Sequence, residues 1–167
     1  MPVDGALACL FAPWRFAFVS SHDPAAGCIF CAAASGGEQS LTLHRGERVF
    51  ALLNRYPYTS GHAMVAPLAH VGDFMGLESE TLAEMLVVAR RLVQALEQAY
   101  HPHGFNIGFN LGEAAGAGVL DHLHLHVVPR WRGDTNFMTV SAGTRVLPED
   151  LEVTRDKLVR ALGEARG

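Results

Sequence analysis

A chain of 167 residues, 49% hydrophobic and 18% charged, has the size and composition of one globular domain with a sizeable core. A net charge of −4 leaves no electrostatic footprint for a general nucleic-acid binder, and no apolar run approaches the ~20 residues of a membrane span. The N-terminus has no basic start followed by a long apolar stretch, so no signal peptide is expected, and three cysteines then suit a reducing cytoplasm.

Residues 1–27 read as irregular, because Pro13, Pro24 and Gly27 interrupt any period. In "CIFC", Cys28 and Cys31 have the two-residue separation common in zinc knuckles. Structural zinc takes four ligands, so histidine must supply the rest, with His44, His62, His70 and His122 as candidates. A thioredoxin-like redox pair is the rival, weakened because no strand precedes the motif and no convincing helix follows. Two ordinary buried thiols are the third reading.

"ERVFALLN" (47–54) reads as a buried strand and "GHAMVAPLA" (61–69) as another, joined across "RYPYTSG". From about Glu78 to Ala99, Leu82, Met85, Leu86, Ala89, Leu92, Val93 and Leu96 recur at the spacing of a long amphipathic helix. "FNIGFNL" (105–111) alternates Phe105, Ile107, Phe109 and Leu111 with Asn106, Gly108 and Asn110, which predicts a strand. The glycine-rich "GEAAGAG" then leads into "DHLHLHVVPRW" (121–131). Its strict alternation also predicts a strand, with Leu123, Leu125 and Val127 toward a core and His122, His124 and His126 on the other face. Pro148 opens a last helix with a stripe of Leu151, Leu158, Val159 and Leu162. Strands around one long helix, mostly joined by short connections, give an α+β domain built on an antiparallel sheet.

Three histidines in one row stand roughly 6–7 Å apart along a strand, close enough to serve one site in separate roles. Such a row can be a metal site, a set of acid/base groups, or a nucleophile with helpers; the plain alternative is the wet face of a sheet. The preceding loop carries Gly112, Gly116 and Gly118, whose backbone can turn its N–H groups onto an anion or simply form a flexible hairpin. Beside the histidines the phosphate cradle gains weight, because a neutral imidazole near pH 7 is a competent nucleophile.

"HLHLHVV" resembles the signature of the histidine triad (HIT) nucleotide hydrolases and transferases, and other landmarks follow in order. "LLNRYPYTSGHAMVAPLAH" (52–70) is similar to that family's nucleoside-binding segment and "NIGFNLG" to its phosphate-side strand. The resemblance runs from about Phe11 to Val140. "FAPWR" and "VVPRWRGDTNFM" resemble the branch that contains diadenosine tetraphosphate phosphorylases and hydrolases.

The resemblance implies a single HIT domain over 1–167, with residues 141–167 as a C-terminal helical tail. It makes His124 the nucleophile at the α-phosphorus, oriented by the backbone carbonyl of His122. His126 would hold a phosphate oxygen and His62 would support the pocket. Asn54 would bind the ribose, with Leu52, Leu53 and Met64 near the base and Asn110, Gly116 and Gly118 along the phosphates. A structural zinc would sit on Cys28, Cys31, His70 and His122, and a homodimer is expected. Arg132 and Trp131 lie just past the triad, where a guanidinium suits distal phosphates and an indole can stack on a second adenine.

One departure stands out. Many members carry a glutamine and a hydroxyl before the triad, whereas this chain reads "GAGVLDH", with one extra residue. That pattern resembles the phosphorylase-type branch, where orthophosphate replaces water as acceptor. The expected activity is cleavage of diadenosine polyphosphates through a covalent nucleotidyl-histidine. The alternatives are a nucleoside phosphoramidate or adenylate hydrolase, a nucleotide-binding module, and a zinc hydrolase using all three histidines as ligands.

Overall fold

Two runs with no polar interruption, "VFALL" and "AMVAP", become the central strands, and every residue in both is buried. They belong to a computed structural model that describes residues 27–36, 41–134 and 149–164. The N-terminal segment with "FAPWR", and Pro148, lie outside the described residues. In chain order the elements are α1 (Ile29–Ala34), β1 (Thr42–Arg45), β2 (Val49–Leu53), β3 (Ala63–Pro67), α2 (Ser79–Tyr100), β4 (Gly104–Phe109), a 3-10 turn (Glu113–Ala115), β5 (Leu125–Arg130) and α3 (Leu151–Glu164). The five strands form one sheet in the order β1-β2-β3-β5-β4, each neighbouring pair antiparallel.

Period-two alternation divides the labour between the faces. Val49, Ala51, Leu53, Ala63, Val65, Leu125 and Val127 point to one side. There they pack against Met85, Leu92 and Leu96 of α2 and Leu158 and Leu162 of α3. Phe50, Leu52, Met64 and Ala66 point to the other side and meet Phe30 of α1. Register then draws a line across that second face. Leu52 pairs with Met64, Met64 with His126, and His126 with Gly108. Stability comes mostly from the helical side, and the histidines lie on the face it leaves open.

Three expectations shift in detail. The buried face of α2 is Thr81, Met85, Val88, Ala89, Leu92, Ala95 and Leu96, while Leu86 is exposed and Leu82 and Val93 are half-buried. Small Ala89 and Ala95 share that face with the larger Met85, Leu92 and Leu96. On α3, Leu158 and Leu162 are buried with Thr154 and Ala161, but Val159 is exposed. The histidine strand begins only at Leu125. Before it, Leu123 N–H donates to the Val71 carbonyl at 2.7 Å, and Gly72 lies so close that a Cβ there would come within 2.5 Å of the Leu120 oxygen. The preceding histidines therefore sit on irregular backbone.

Glu149 anchors α3 to α2. Its carboxylate accepts from Thr154 Oγ1 at 2.9 Å, from the Tyr100 hydroxyl and from Lys157 Nζ. Burial raises the Glu149 pKa, but the hydrogen bonds from Lys157, Tyr100 and Thr154 outweigh it and hold the carboxyl below its ordinary value. Burial, with the same contact, pushes Tyr100 up to about 12. A depressed carboxyl pKa stabilises the fold above its unfolded value, and that stability is lost as pH falls through the lower folded value. Glu149→Ala should cost about 1–2 kcal/mol at pH 7, the scale of a few partly exposed hydrogen bonds. In thermal melts across the acid range, the difference from the native chain should vanish below the carboxyl titration. A pH-independent difference would assign the effect to packing alone.

Candidate functional site

The three histidines do three different things, and hydrogen-bond chemistry says which. His124 Nδ1 lies 2.9 Å from the His122 carbonyl oxygen. A carbonyl only accepts, so Nδ1 carries the hydrogen and Nε2 keeps the lone pair. The residue is 6% exposed, and burial lowers its pKa against the opposing pull of that carbonyl. The ring is thus held neutral, in the tautomer that presents Nε2 as a nucleophile. Phe30 stacks on it at 4.8 Å between ring centroids, with 29° between the planes.

His126 has the opposite tautomer. Tyr58 N–H donates to His62 Nδ1 at 3.1 Å, with Asn54 Nδ2 3.4 Å from the same nitrogen. His62 therefore bears its hydrogen on Nε2, which lies 3.0 Å from His126 Nδ1. His126 Nδ1 accepts and the remaining hydrogen sits on His126 Nε2. The His124 and His126 rings are 4.9 Å apart and inclined at 75°. One ring brings an electron pair, the next an N–H donor.

His122 faces a different centre. Its Nε2 donates to the Pro67 carbonyl at 2.9 Å, which leaves Nδ1 as the lone-pair nitrogen. That Nδ1 lies 3.2 Å from Cys28 Sγ and 3.7 Å from Cys31 Sγ, and Cys31 Sγ lies 3.3 Å from His70 Nδ1. All four donor atoms fall within 4.8 Å of one another. Tetrahedral zinc with bonds of about 2.0–2.3 Å needs ligand atoms roughly 3.3–3.8 Å apart, so the donor set and its dimensions fit that ion. A backbone carbonyl orienting the ligand histidine is the usual outer support of such a centre. Burial and the adjoining Cys28 push the Cys31 thiol up, and two thiolates side by side call for a cation between them.

Of the four histidines considered for the metal, His70 and His122 are brought to the cysteines. His62 is hydrogen-bonded to His126 of the triad, and His44 lies 3.3 Å from an Arg91 guanidinium nitrogen. A helix does follow Cys28, contrary to expectation, but it is only six residues long. It removes one ground against a redox pair, and the two imidazole nitrogens against the sulfurs supply a better one. With His124 bound to a carbonyl and His126 to His62, the three triad rings do not converge on one ion.

Leu52 and Met64 share the site face with Phe30 and Phe50. Leu53 does not. It is 1% exposed on the helical side, because adjacent strand residues point opposite ways. Asn54 Oδ1 accepts from Tyr56 N–H at 2.9 Å, which fixes the turn after β2. Asn110 Nδ2 reaches the Gly116 carbonyl at 3.4 Å and ties down the glycine loop, where Gly112 and Gly116 have φ of 80° and 82°. Gly118 lies in the same loop. Asn110, Ala117, Val119 and His124 border a cavity of about 300 Å³, with Phe74 and Met75 also in its lining.

Trp131 and Arg132 are not brought to the triad. His126 is paired with Met64, whereas Arg130 is paired with Gly104, and the five residue steps from His126 to Trp131, just past the end of β5, span about 17 Å in extended chain. Arg132 N–H donates to His103 Nδ1 at 2.9 Å. Arg130 is committed to Asp134 at 2.6 and 2.9 Å and to Asn106 at 2.7 Å. Phe30 and Tyr58, both against triad rings, were not anticipated. "CIFC" held the only signal for Phe30, a large aromatic between two ligand candidates.

A family model of the HIT domain matches residues 37–133. The AP-4-A phosphorylase of Mycobacterium tuberculosis is 43% identical over 118 residues, which are 71% of this chain and 60% of that protein. This chain thus spans less than two thirds of that relative. A Zn-bound histidine triad family protein from Mycobacterium smegmatis superposes with a TM-score of 0.71 at 34% identity, over 84% of this chain and 96% of the other. A hypothetical histidine triad nucleotide-binding protein from Sulfolobus tokodaii gives 0.70 at 26% identity, over 83% and 94%. The matched segment takes in the five strands, the glycine loop and all three histidines, and the chain belongs to the HIT domain family.

Proposed function

We propose that this domain transfers nucleotidyl groups, cleaving diadenosine polyphosphates, diadenosine tetraphosphate first, and that it works in the cytoplasm. The observation that carries the reading is the pair of opposed tautomers. His124 Nδ1–H is given to the His122 carbonyl, and the His62–His126 contact leaves a hydrogen on His126 Nε2. In the first step His124 Nε2 forms a bond to the α-phosphorus while the phosphorus–oxygen bond to the leaving nucleotide breaks. The leaving oxygen takes that electron pair. In the second, an acceptor oxygen bonds to phosphorus, the phosphorus–nitrogen pair returns to Nε2, and the acceptor's proton goes to solvent.

His126 Nε2–H meets a non-bridging phosphate oxygen in this reading, and the Asn110–Gly116 loop lines the phosphates. Asn54 takes the ribose, and Leu52 with Met64 flanks the base. Trp131 and Arg132 stand far enough from the triad that they meet only the distal end of an extended ligand. Ala117 and Gly118, in place of larger donors, leave room for orthophosphate as acceptor, which agrees with the phosphorylase among the relatives.

Product analysis on diadenosine tetraphosphate with and without phosphate tests the reading. ADP plus ATP, made only with phosphate, is expected; AMP plus ATP would make it a hydrolase. His124→Ala should abolish turnover yet bind nucleotide within roughly tenfold, about 1.4 kcal/mol. Absence of turnover by the native protein, or retained turnover in that variant, would overturn the mechanism.

The centre of Cys28, Cys31, His70 and His122 is read as a structural zinc site, supported by its four donors and by the Zn-bound relative. Metal analysis of protein purified without chelators should find about one zinc per chain, and Cys31→Ser should lose it together with thermal stability. Metal-free native protein would remove the site.

In this reading the chain forms a homodimer through β4, one edge of the sheet, where Asn106, Ile107 and Gly108 are exposed and Ile107 is 49% accessible. Sedimentation should show a dimer, and a charge on that edge, Ile107→Lys, should dissociate it. A monomeric native chain would contradict the assignment.

A further inference from the structure

Two physical links join the metal centre to the nucleophile. One is backbone. His122 turns Nδ1 toward the cysteines, while its carbonyl, on the same residue, fixes the hydrogen of His124 Nδ1 at 2.9 Å. The other is a ring. Phe30 stands between Cys28 and Cys31, is 1% exposed, stacks on His124 at 4.8 Å and lies 5.1 Å from the His122 ring.

The helix that carries Phe30 cannot hold itself. α1 has six residues, no side-chain cap and no acidic residue in its first turn, and a helix that short is unstable without tertiary anchors. Its anchors are the two sulfurs, the Phe30 side chain clustered with Phe50, Leu52 and Met64, the packing of Ala33 and Ala34 on that cluster, and the Arg45 guanidinium on the Ala34 carbonyl. The main core, between α2, α3 and the opposite face of the sheet, contains none of them. The metal end of the molecule can therefore loosen while the core stays intact.

We infer that Phe30 is a positioning residue for His124, and that the metal-anchored helix α1 keeps its ring seated on the nucleophile. The ring blocks rotation of the imidazole out of line. It also faces the charge that appears when His124, still protonated on Nδ1, bonds to phosphorus through Nε2, a cation held over an aromatic face. The catalytic consequence rests on the function proposed above; the positioning itself does not.

Two measurements on the whole chain test this. In the zinc-loaded protein, histidine ring NMR should show His124 as a single Nδ1–H tautomer. Removing zinc with a chelator should replace it with averaged tautomer signals, leave the methyl resonances of Leu92 and Leu158 in place, and reverse on adding zinc. No turnover is required, so the result stands apart from the identity of the substrate. A single tautomer surviving chelation would overturn the inference, and so would loss of the core methyl signals, which would make the metal a folding element. In the second measurement Phe30→Leu should keep its zinc and lower kcat about tenfold, the scale of one ring–cation contact, with KM within about twofold. A raised KM at unchanged kcat would show that Phe30 touches ligand and does not position the histidine.

Discussion

The hydrogen bond from His124 Nδ1 to the His122 carbonyl is the contact on which the site depends. Because a carbonyl cannot donate, the bond selects one imidazole tautomer and leaves the electron pair on Nε2. It needs a carbonyl not already used by a neighbouring strand. β5 begins at Leu125, so His122 lies outside the ladder and its carbonyl turns to the ring. The irregular backbone before β5 is in turn held by the Leu123–Val71 hydrogen bond and by the close approach at Gly72. A longer, more regular strand would look better as a sheet and work worse as a site.

The sheet also keeps stability and chemistry apart. Helices α2 and α3 cover one face with a large apolar core, and the other face carries the small Phe30 cluster and the histidines. Buried imidazoles are expensive unless their nitrogens are satisfied. His62, His122 and His124 meet that cost through the His126 ring, two backbone carbonyls and the Tyr58 N–H. The result is a polar network in which each ring has one assigned tautomer and hence one chemical role.

Much of this was legible beforehand. Uninterrupted apolar runs gave β2 and β3, the helical period gave α2 nearly to its ends, and the alternating histidines marked the site. The phase of α2 was not legible. Apolar residues occur on several sides of that helix, and only contact with the sheet shows that Val88 and Ala95 face inward while Leu86 does not. The resemblance grouped Leu53 with Leu52 near the base, yet neighbours in a strand serve opposite faces. β1 and α1 are too short, at four and six residues, to show a period. Phe30 and Tyr58 reach the histidines through tertiary packing, which no local pattern encodes.

If His124 Nε2 attacks phosphorus as proposed, the reaction must pass through a phosphorus–nitrogen adduct, and that bond is labile to acid and stable to base. Rapid mixing with diadenosine tetraphosphate, an alkaline quench and peptide mass spectrometry measure it directly. The account predicts an adenylyl group on the peptide carrying His124, localised to that ring and absent from His122 and His126. An adduct on another residue, or turnover with no adduct at any quench time, would contradict it.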